Sequence, residues 1–262
     1  MTPNQRPVIL LRGLLREQRH WGEFSRLLKM HLPDRPVITM DLAGNGQRFL
    51  ETSPSTVSAM VDDLHQQLHF LYARQLATSE PSKAGTYDLL AISMGGMIAI
   101  EWAKLYPEEV HSLVLINTSN GMQSPFYRRL RCQQYPHLVK LLLSPPKTQE
   151  AIILNMTSNM YPDDENVLKM WIKWRKECPI DRKNLFRQLN AAATFRYRDI
   201  PEQPLLLLAS QYDELVDVSC SKKLAVHWQC PLHLHPSAGH DIPLDDPEWV
   251  CRQTLGFWQS FT

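Results

Sequence analysis

Missing from this sequence are long apolar runs, paired cysteines and an excess of either charge, and each absence excludes something. No stretch approaches the ~20 apolar residues that a membrane helix needs, so no membrane span is expected. The five cysteines (Cys132, Cys178, Cys220, Cys230 and Cys251) are odd in number, scattered, and nowhere spaced as Cys-x-x-Cys. Reduced thiols suit that pattern better than a disulfide framework or a zinc site, and all five are expected to be packing residues. With 28 Lys+Arg against 27 Asp+Glu the formal net charge is only +1. Nothing in the whole-chain charge therefore draws the protein to nucleic acid or to a membrane surface. The opening Met1–Pro7 lacks the basic-then-apolar build of a secretory signal, which makes a cytoplasmic location the expectation. What remains is 262 residues, 44% of them apolar, enough for one large core or a core with an insertion.

Short β-rich runs alternate with helical patterns, as in a parallel sheet covered on both faces. Strands are expected at Val8–Arg12, Val37–Asp41, Tyr87–Ile92, Ser112–Asn117, Leu205–Ser210 and Leu232–His235. Helices are expected near Trp21–His31, Thr56–Ala77, Met97–Tyr106, Ser221–Trp228 and Pro247–Phe261, the last with Asp246 as N-cap and Pro247 at its first position. Ser79–Gly85 reads as a surface loop. From Gly121 to about Asp199 no strand-like run occurs, only helical stretches rich in Leu, Met and aromatic residues. A helical insertion over the C-terminal edge of the sheet follows, the edge where open α/β sheets bind ligands.

The chemistry concentrates in Leu89-Leu90-Ala91-Ile92-Ser93-Met94-Gly95-Gly96, where an apolar strand stops at a serine and two glycines before an amphipathic stretch. A turn this tight presents the Ser93 hydroxyl beneath the N-terminus of the next helix, where the helix dipole favours negative charge. A serine in an ordinary strand-to-helix connection would give much the same octapeptide. Serine is a poor nucleophile until a base takes its proton. Of ten histidines, His20, His65, His69 and His235 have bland settings on or beside regular elements. His240, in Ser237-Ala238-Gly239-His240-Asp241, sits between the last strand and the final helix, at the same sheet edge as Ser93. The carboxylate that orients it is expected after Leu205–Ser210, at Asp213; Asp217 is the rival, with a role as helix cap beside Ser219 as its alternative. For the oxyanion, one donor is the N–H of Met94 and the other the N–H of Leu14, reached because Gly13 lets the first loop come close. A glycine after a strand is also an ordinary turn residue.

In this order, the parts resemble the α/β-hydrolase family over nearly the whole chain. Asp41-Leu42-Ala43-Gly44-Asn45-Gly46 resembles the family's D-x-P-G-x-G turn, and Gly239-His240 followed by Asp246-Pro247 resembles its run into the last helix. Six of the ten glycines (Gly13, Gly44, Gly46, Gly95, Gly96 and Gly239) fall at turns the family needs. Three departures stand out: Ala91 replaces the first glycine of G-x-S-x-G, Arg12 stands where histidine is usual, and Ala43 where proline is common. Arg12 is expected to alter the polarity of the pocket or to pair with a nearby carboxylate. The first strand already leads to the oxyanion loop, which implies a reduced sheet of about six mainly parallel strands. The resemblance implies an α/β-hydrolase core over residues 1–120 and 200–262 and a helical lid over 121–199, inserted after the fourth strand. The overall look is similar to small lidded serine esterases such as pimeloyl-carrier-protein methyl esterase relatives.

It further implies hydrolysis of a carboxylic ester through an acyl-enzyme, with no metal or organic cofactor. An acyl thioesterase would use the same groups, and a non-catalytic binding protein on the same scaffold is the alternative of another class. The expected lid carries 14 Lys+Arg and 7 Asp+Glu, against 14 and 20 in the remainder. This basic surface, with Arg128, Arg129 and Arg131 near its start, suits an acidic acyl carrier protein or coenzyme A phosphates, or is simply a solvated face. Arg12, Gly13, Met156 and Met160 are the candidate substrate contacts. Met170, Trp171, Trp174 and Phe195 either line an acyl pocket with them or form the lid's own core.

Overall fold

In the computed structural model, which describes residues 6–75 and 86–261, the six strands form a single parallel sheet. They are β1 (Val8–Leu11), β2 (Val37–Met40), β3 (Tyr87–Ile92), β4 (Val110–Ile116), β5 (Leu205–Ser210) and β6 (Leu232–His235). Their spatial order is β2-β1-β3-β4-β5-β6, each pair parallel. The Ser79–Gly85 loop expectation lies outside the described residues.

Period-two side-chain alternation explains why the strands read as continuous apolar runs. Ile9, Leu11, Leu89, Ala91, Leu113, Leu115, Leu205 and Leu207 pack on one face with α2 (Val57–Gln75), α3 (Met94–Leu105) and α9 (Ser219–Trp228). Val8, Leu10, Leu90, Ile92, Val114, Ile116, Leu206 and Leu208 face the other side, against α1 (Gly22–His31) and α11 (Pro247–Gln259). Two different apolar layers thus require both registers of each strand to be buried.

The chain leaves β1 in one direction to form β2, then crosses back past β1 to β3 and runs on to β6. The reversal falls between β1 and β3, so a crevice opens outside their carboxyl ends. Gly13 follows the first of these strands and Ser93 follows the second.

Between β4 and β5 lie five helices: α4 (Phe126–Arg129), α5 (Tyr135–Leu143), α6 (Pro146–Thr157), α7 (Glu165–Glu177) and α8 (Arg182–Thr194). They gather Leu141, Ile152, Leu154, Trp171 and Leu185 into a separate apolar cluster with Leu15. Asp164 and Asp181 cap α7 and α8 by accepting N–H bonds from the first turn.

Three expectations change. The helix after Ser93 begins at Met94 and not at Met97, because Gly95 and Gly96 are part of its first turn. They pack where a Cβ would meet Leu11 and Arg12 carbonyls or Thr118. Cys220 and Cys251 are buried and Cys178 and Cys230 partly so, but Cys132 is exposed at the turn before α5 and is no packing residue. His20, given a bland setting by the sequence, is buried in a short 3-10 turn, Gln18–Trp21, between Arg16 and two tryptophans.

Candidate active site

Ser93 holds φ 59° and ψ −122° between β3 and α3, a conformation an L residue adopts only when its surroundings impose it. Here they do so from three sides. Its N–H donates to Ile116 O at 2.8 Å, its carbonyl accepts from Thr118 Oγ1 at 2.8 Å, and Gly96 N–H closes the turn on that same carbonyl at 3.0 Å. Ala91 is fully buried in the layer beneath, its methyl accommodated among the α2 and α3 side chains. A Cβ on Gly13 would come within 2.9 Å of Ser93 Cβ, so only glycine lets the β1 loop lie this close to the serine.

His240 comes from the loop between β6 and the short helix α10 (Ile242–Asp245). Its Nδ1 lies 2.7 Å from Asp213 Oδ2, and both residues are about 95% buried or more. The other Asp213 oxygen accepts the N–H groups of Leu215 and Val216 at 2.8 and 2.9 Å. A carboxylate only accepts, and its second oxygen faces the imidazole, so Nδ1 carries the hydrogen and Nε2 is left as a base. Asp217 does something else. It accepts from Ser219 N–H at the start of α9 and lies 3.8 Å from Arg128; despite partial burial, the Ser219 hydrogen bonds hold its carboxyl below the usual range.

Ser93 and His240 line one cavity of about 310 Å³, together with Gly13, Leu14 and Met94. Met94 is the first residue of α3, where an N–H has no intrahelical acceptor. The N–H of Leu14 donates to no acceptor among the described residues. The inserted helices provide the apolar wall, with Phe126, Tyr135, Leu138, Ile153, Met156 and Leu189. Met156 is thus a lining residue, as its place in the sequence suggests. Met160 is not: it is exposed, beyond the end of α6. Trp171 and Phe195 are buried in packing clusters, Trp174 packs beside the first of these, and Met170 is exposed.

Arg12 lines the cavity and forms a buried bidentate pair with Asp241, the carboxylate partner anticipated for it. Of the three arginines at the start of the insertion, only Arg129 lines the cavity. Arg131 donates to the Asp213 carbonyl oxygen at 2.9 Å, and Arg128 to Ser219 Oγ at 2.8 Å.

Sequence reasoning missed the groups that hold the histidine loop. Asn117, at φ 46° just past β4, donates to the His240 carbonyl at 2.7 Å and accepts Ser210 N–H at 2.9 Å. Asp245 accepts Gly239 N–H and Asn159 N–H and the Ser158 hydroxyl, tying the loop to the end of α6; burial pushes its carboxyl up. A polar residue ending an apolar strand was the available signal for Asn117; Asp245 had none beyond its nearness to His240. Outside the cavity, His65, His69 and Glu109 bring three ligand-type atoms within 4.8 Å of one another. None of these lines the cavity.

Comparison with known proteins agrees with the fold. The sequence profile described as the alpha/beta hydrolase family matches residues 8–253. A Bacillus subtilis (strain 168) protein assigned as a 2-succinyl-6-hydroxy-2,4-cyclohexadiene-1-carboxylate synthase is 24% identical, covering 92% of this chain and 85% of its own length. Monoacylglycerol lipase ABHD6 of Homo sapiens is 22% identical, covering 98% of this chain and 77% of its own. Among solved structures, the enol-lactonase from Burkholderia xenovorans LB400 superposes with a TM-score of 0.77 at 15% identity, covering 97% of this chain and 92% of its own. No helix among the described residues is long and apolar enough to cross a membrane.

Proposed function

Because the chain belongs to the alpha/beta hydrolase family, we propose that it is a serine hydrolase cleaving a carboxylic ester through an acyl-enzyme. The observation that carries this is the 2.7 Å contact of Asp213 Oδ2 with Nδ1 of His240, which lines the same cavity as Ser93 in its strained turn. His240 Nε2 takes the proton from Ser93 Oγ as that oxygen attacks the ester carbonyl. Asp213 keeps the imidazole in the needed tautomer and stabilises its charged form. The carbonyl oxygen, now negative, accepts from the N–H groups of Met94 and Leu14, and each such donor typically contributes about 3 kcal/mol in the transition state. The alcohol leaves with the proton held by His240. Water, deprotonated by the same imidazole, then frees the acid and restores Ser93. None of these steps calls on a metal or an organic cofactor. A lipase among the relatives is, by name, an ester-cleaving protein, which supports the ester reading.

Acyl thioesters pass through the same steps, so the leaving group separates a thioesterase from an esterase. Rates with p-nitrophenyl esters and acyl thioesters of matched chain length decide between them. The core reading is tested by labelling with a fluorophosphonate. Wild type gains the adduct mass on Ser93 and Ser93→Ala does not; an unlabelled wild type that binds ligands in the cavity would mark a non-catalytic protein.

A further inference from the structure

Three guanidinium groups line the cavity, and their charges are not treated alike. Arg12 is matched by Asp241 at 3.0 and 2.5 Å, and Arg16 by Glu150 at 2.9 Å. Arg129 has no carboxylate within 4.0 Å among the described residues. Its hydrogen bonds run to the carbonyls of Ala192 and Ala193 at the end of α8 and to Ser119 Oγ. Those bonds fix the position of the guanidinium and leave its charge uncompensated. A second cation makes the imbalance worse, since Arg196 shares the Ala193 carbonyl. Burial, with Arg196 acting in the same direction, pushes Arg129 down to about 10.

The position also matters. The Arg129 side chain rests on Met97 Sδ and Ser119, both of which line the cavity. Met97 stands four residues after Ser93, one turn along the same face of α3. The free positive charge therefore borders the same cavity as the nucleophile, against a side chain of the helix that follows Ser93. A half-buried cation with no carboxylate partner at the wall of a binding cavity favours a ligand of opposite charge there.

We propose that Arg129 is a carboxylate-binding residue and that the substrate, an ester on the reading above, is a half-ester carrying one free carboxylate. A single negative charge matches the single uncompensated guanidinium, which keeps one Nη1 hydrogen not taken by its protein contacts. The remaining wall is apolar and accommodates the spacer between the two carbonyl carbons.

The test measures binding without turnover, on protein carrying Ser93→Ala. Calorimetry compares monoethyl glutarate with diethyl glutarate, a pair differing in one charged group. The monoester should bind at least ~10-fold tighter, the gain of one charge-assisted contact. Arg129→Gln on the same background should bring the two affinities together, and Arg129→Lys should keep part of the difference. The ratio is read within each protein, so a general loosening of α8 cancels. No binding of the monoester, equal binding of the two esters, or a preference that survives Arg129→Gln overturns the proposal. Since nothing here depends on Ser93 reacting, such a failure is distinct from a wild type that resists the fluorophosphonate.

Discussion

Arg12 and Asp241 clasp the two loops of the site together: the residue before Gly13 holds, by two parallel hydrogen bonds, the residue after His240. Both side chains are at least 95% buried, and the guanidinium lies 5.0 Å over the Trp21 ring. Removing one member strands the other charge in a low-dielectric site, which typically costs 3–5 kcal/mol. Arg12→Met and Asp241→Leu should therefore each destabilise by about that much in urea unfolding. The double variant should lose much less than the sum of the two, since it leaves no buried charge behind. Additive losses would mean that the pair contributes nothing as a pair.

Asp213 and Asp217 offer a clean contrast, because only Asp213 reaches the imidazole. Asp213→Asn preserves shape but offers an N–H where Nδ1–H must donate, so kcat should fall about 10⁴-fold. Asp217→Asn should change kcat little and lower thermal stability slightly, through the weakened start of α9. Steady-state rates on one p-nitrophenyl ester check both, and the reverse ranking would move the acid's role to Asp217.

Much of this was legible in the sequence because strands buried on both faces are written as unbroken apolar runs, and all six expected strands form. The tight turn at Ser93 was legible for a similar reason: only small residues fit where α3 meets β1. The start of α3 was not, because two glycines lower helix propensity and only the packing against Leu11, Arg12 and Thr118 explains them there. Met160 and Arg129 show the other limit. Both lie in the insertion, and which one reaches the cavity depends on how α4 and the chain beyond α6 are placed in space.

Gly95 and Ala91 flank Ser93, and substitutions at them should differ in their effect on kcat. A Cβ at Gly95 would press on the Leu11 carbonyl and lie 2.7 Å from that of Arg12, both backbone atoms with little room to move. Gly95→Ala should cost about 1–3 kcal/mol and, by shifting α3, lower kcat as well. Ala91→Gly restores the family's usual residue and removes one buried methyl; it should cost about 1–2 kcal/mol and leave kcat near wild type. Urea unfolding and ester hydrolysis on the two variants separate these outcomes. A fully active Gly95→Ala would show that the turn at Ser93 tolerates displacement.

His20 makes stability depend on pH. Its Nε2 lies 2.7 Å from Arg16 Nη1, and a guanidinium only donates, so that ring nitrogen must be the acceptor and the imidazole neutral. Glu17, Trp171 and Trp174 close the site, and Glu150 takes the other bond from Arg16. Burial, then Arg16 and Arg12, hold the His20 pKa well below its ordinary 6.5. The unfolded chain thus takes up a proton below about pH 6.5 that the folded protein refuses. From this group, stability is fully present above that pH and falls as pH drops, by up to about 1.4 kcal/mol per pH unit. Burial raises Glu17 and Asp41, which has the opposite sign, stabilising the fold as pH falls toward their own range. The measurement is therefore a difference: urea midpoints of wild type and His20→Asn between pH 7.5 and pH 5.5. Wild type should lose more stability across that interval than the variant, by as much as one proton's uptake allows. Parallel curves would mean that His20 is charged in the fold, which the Arg16 contact forbids.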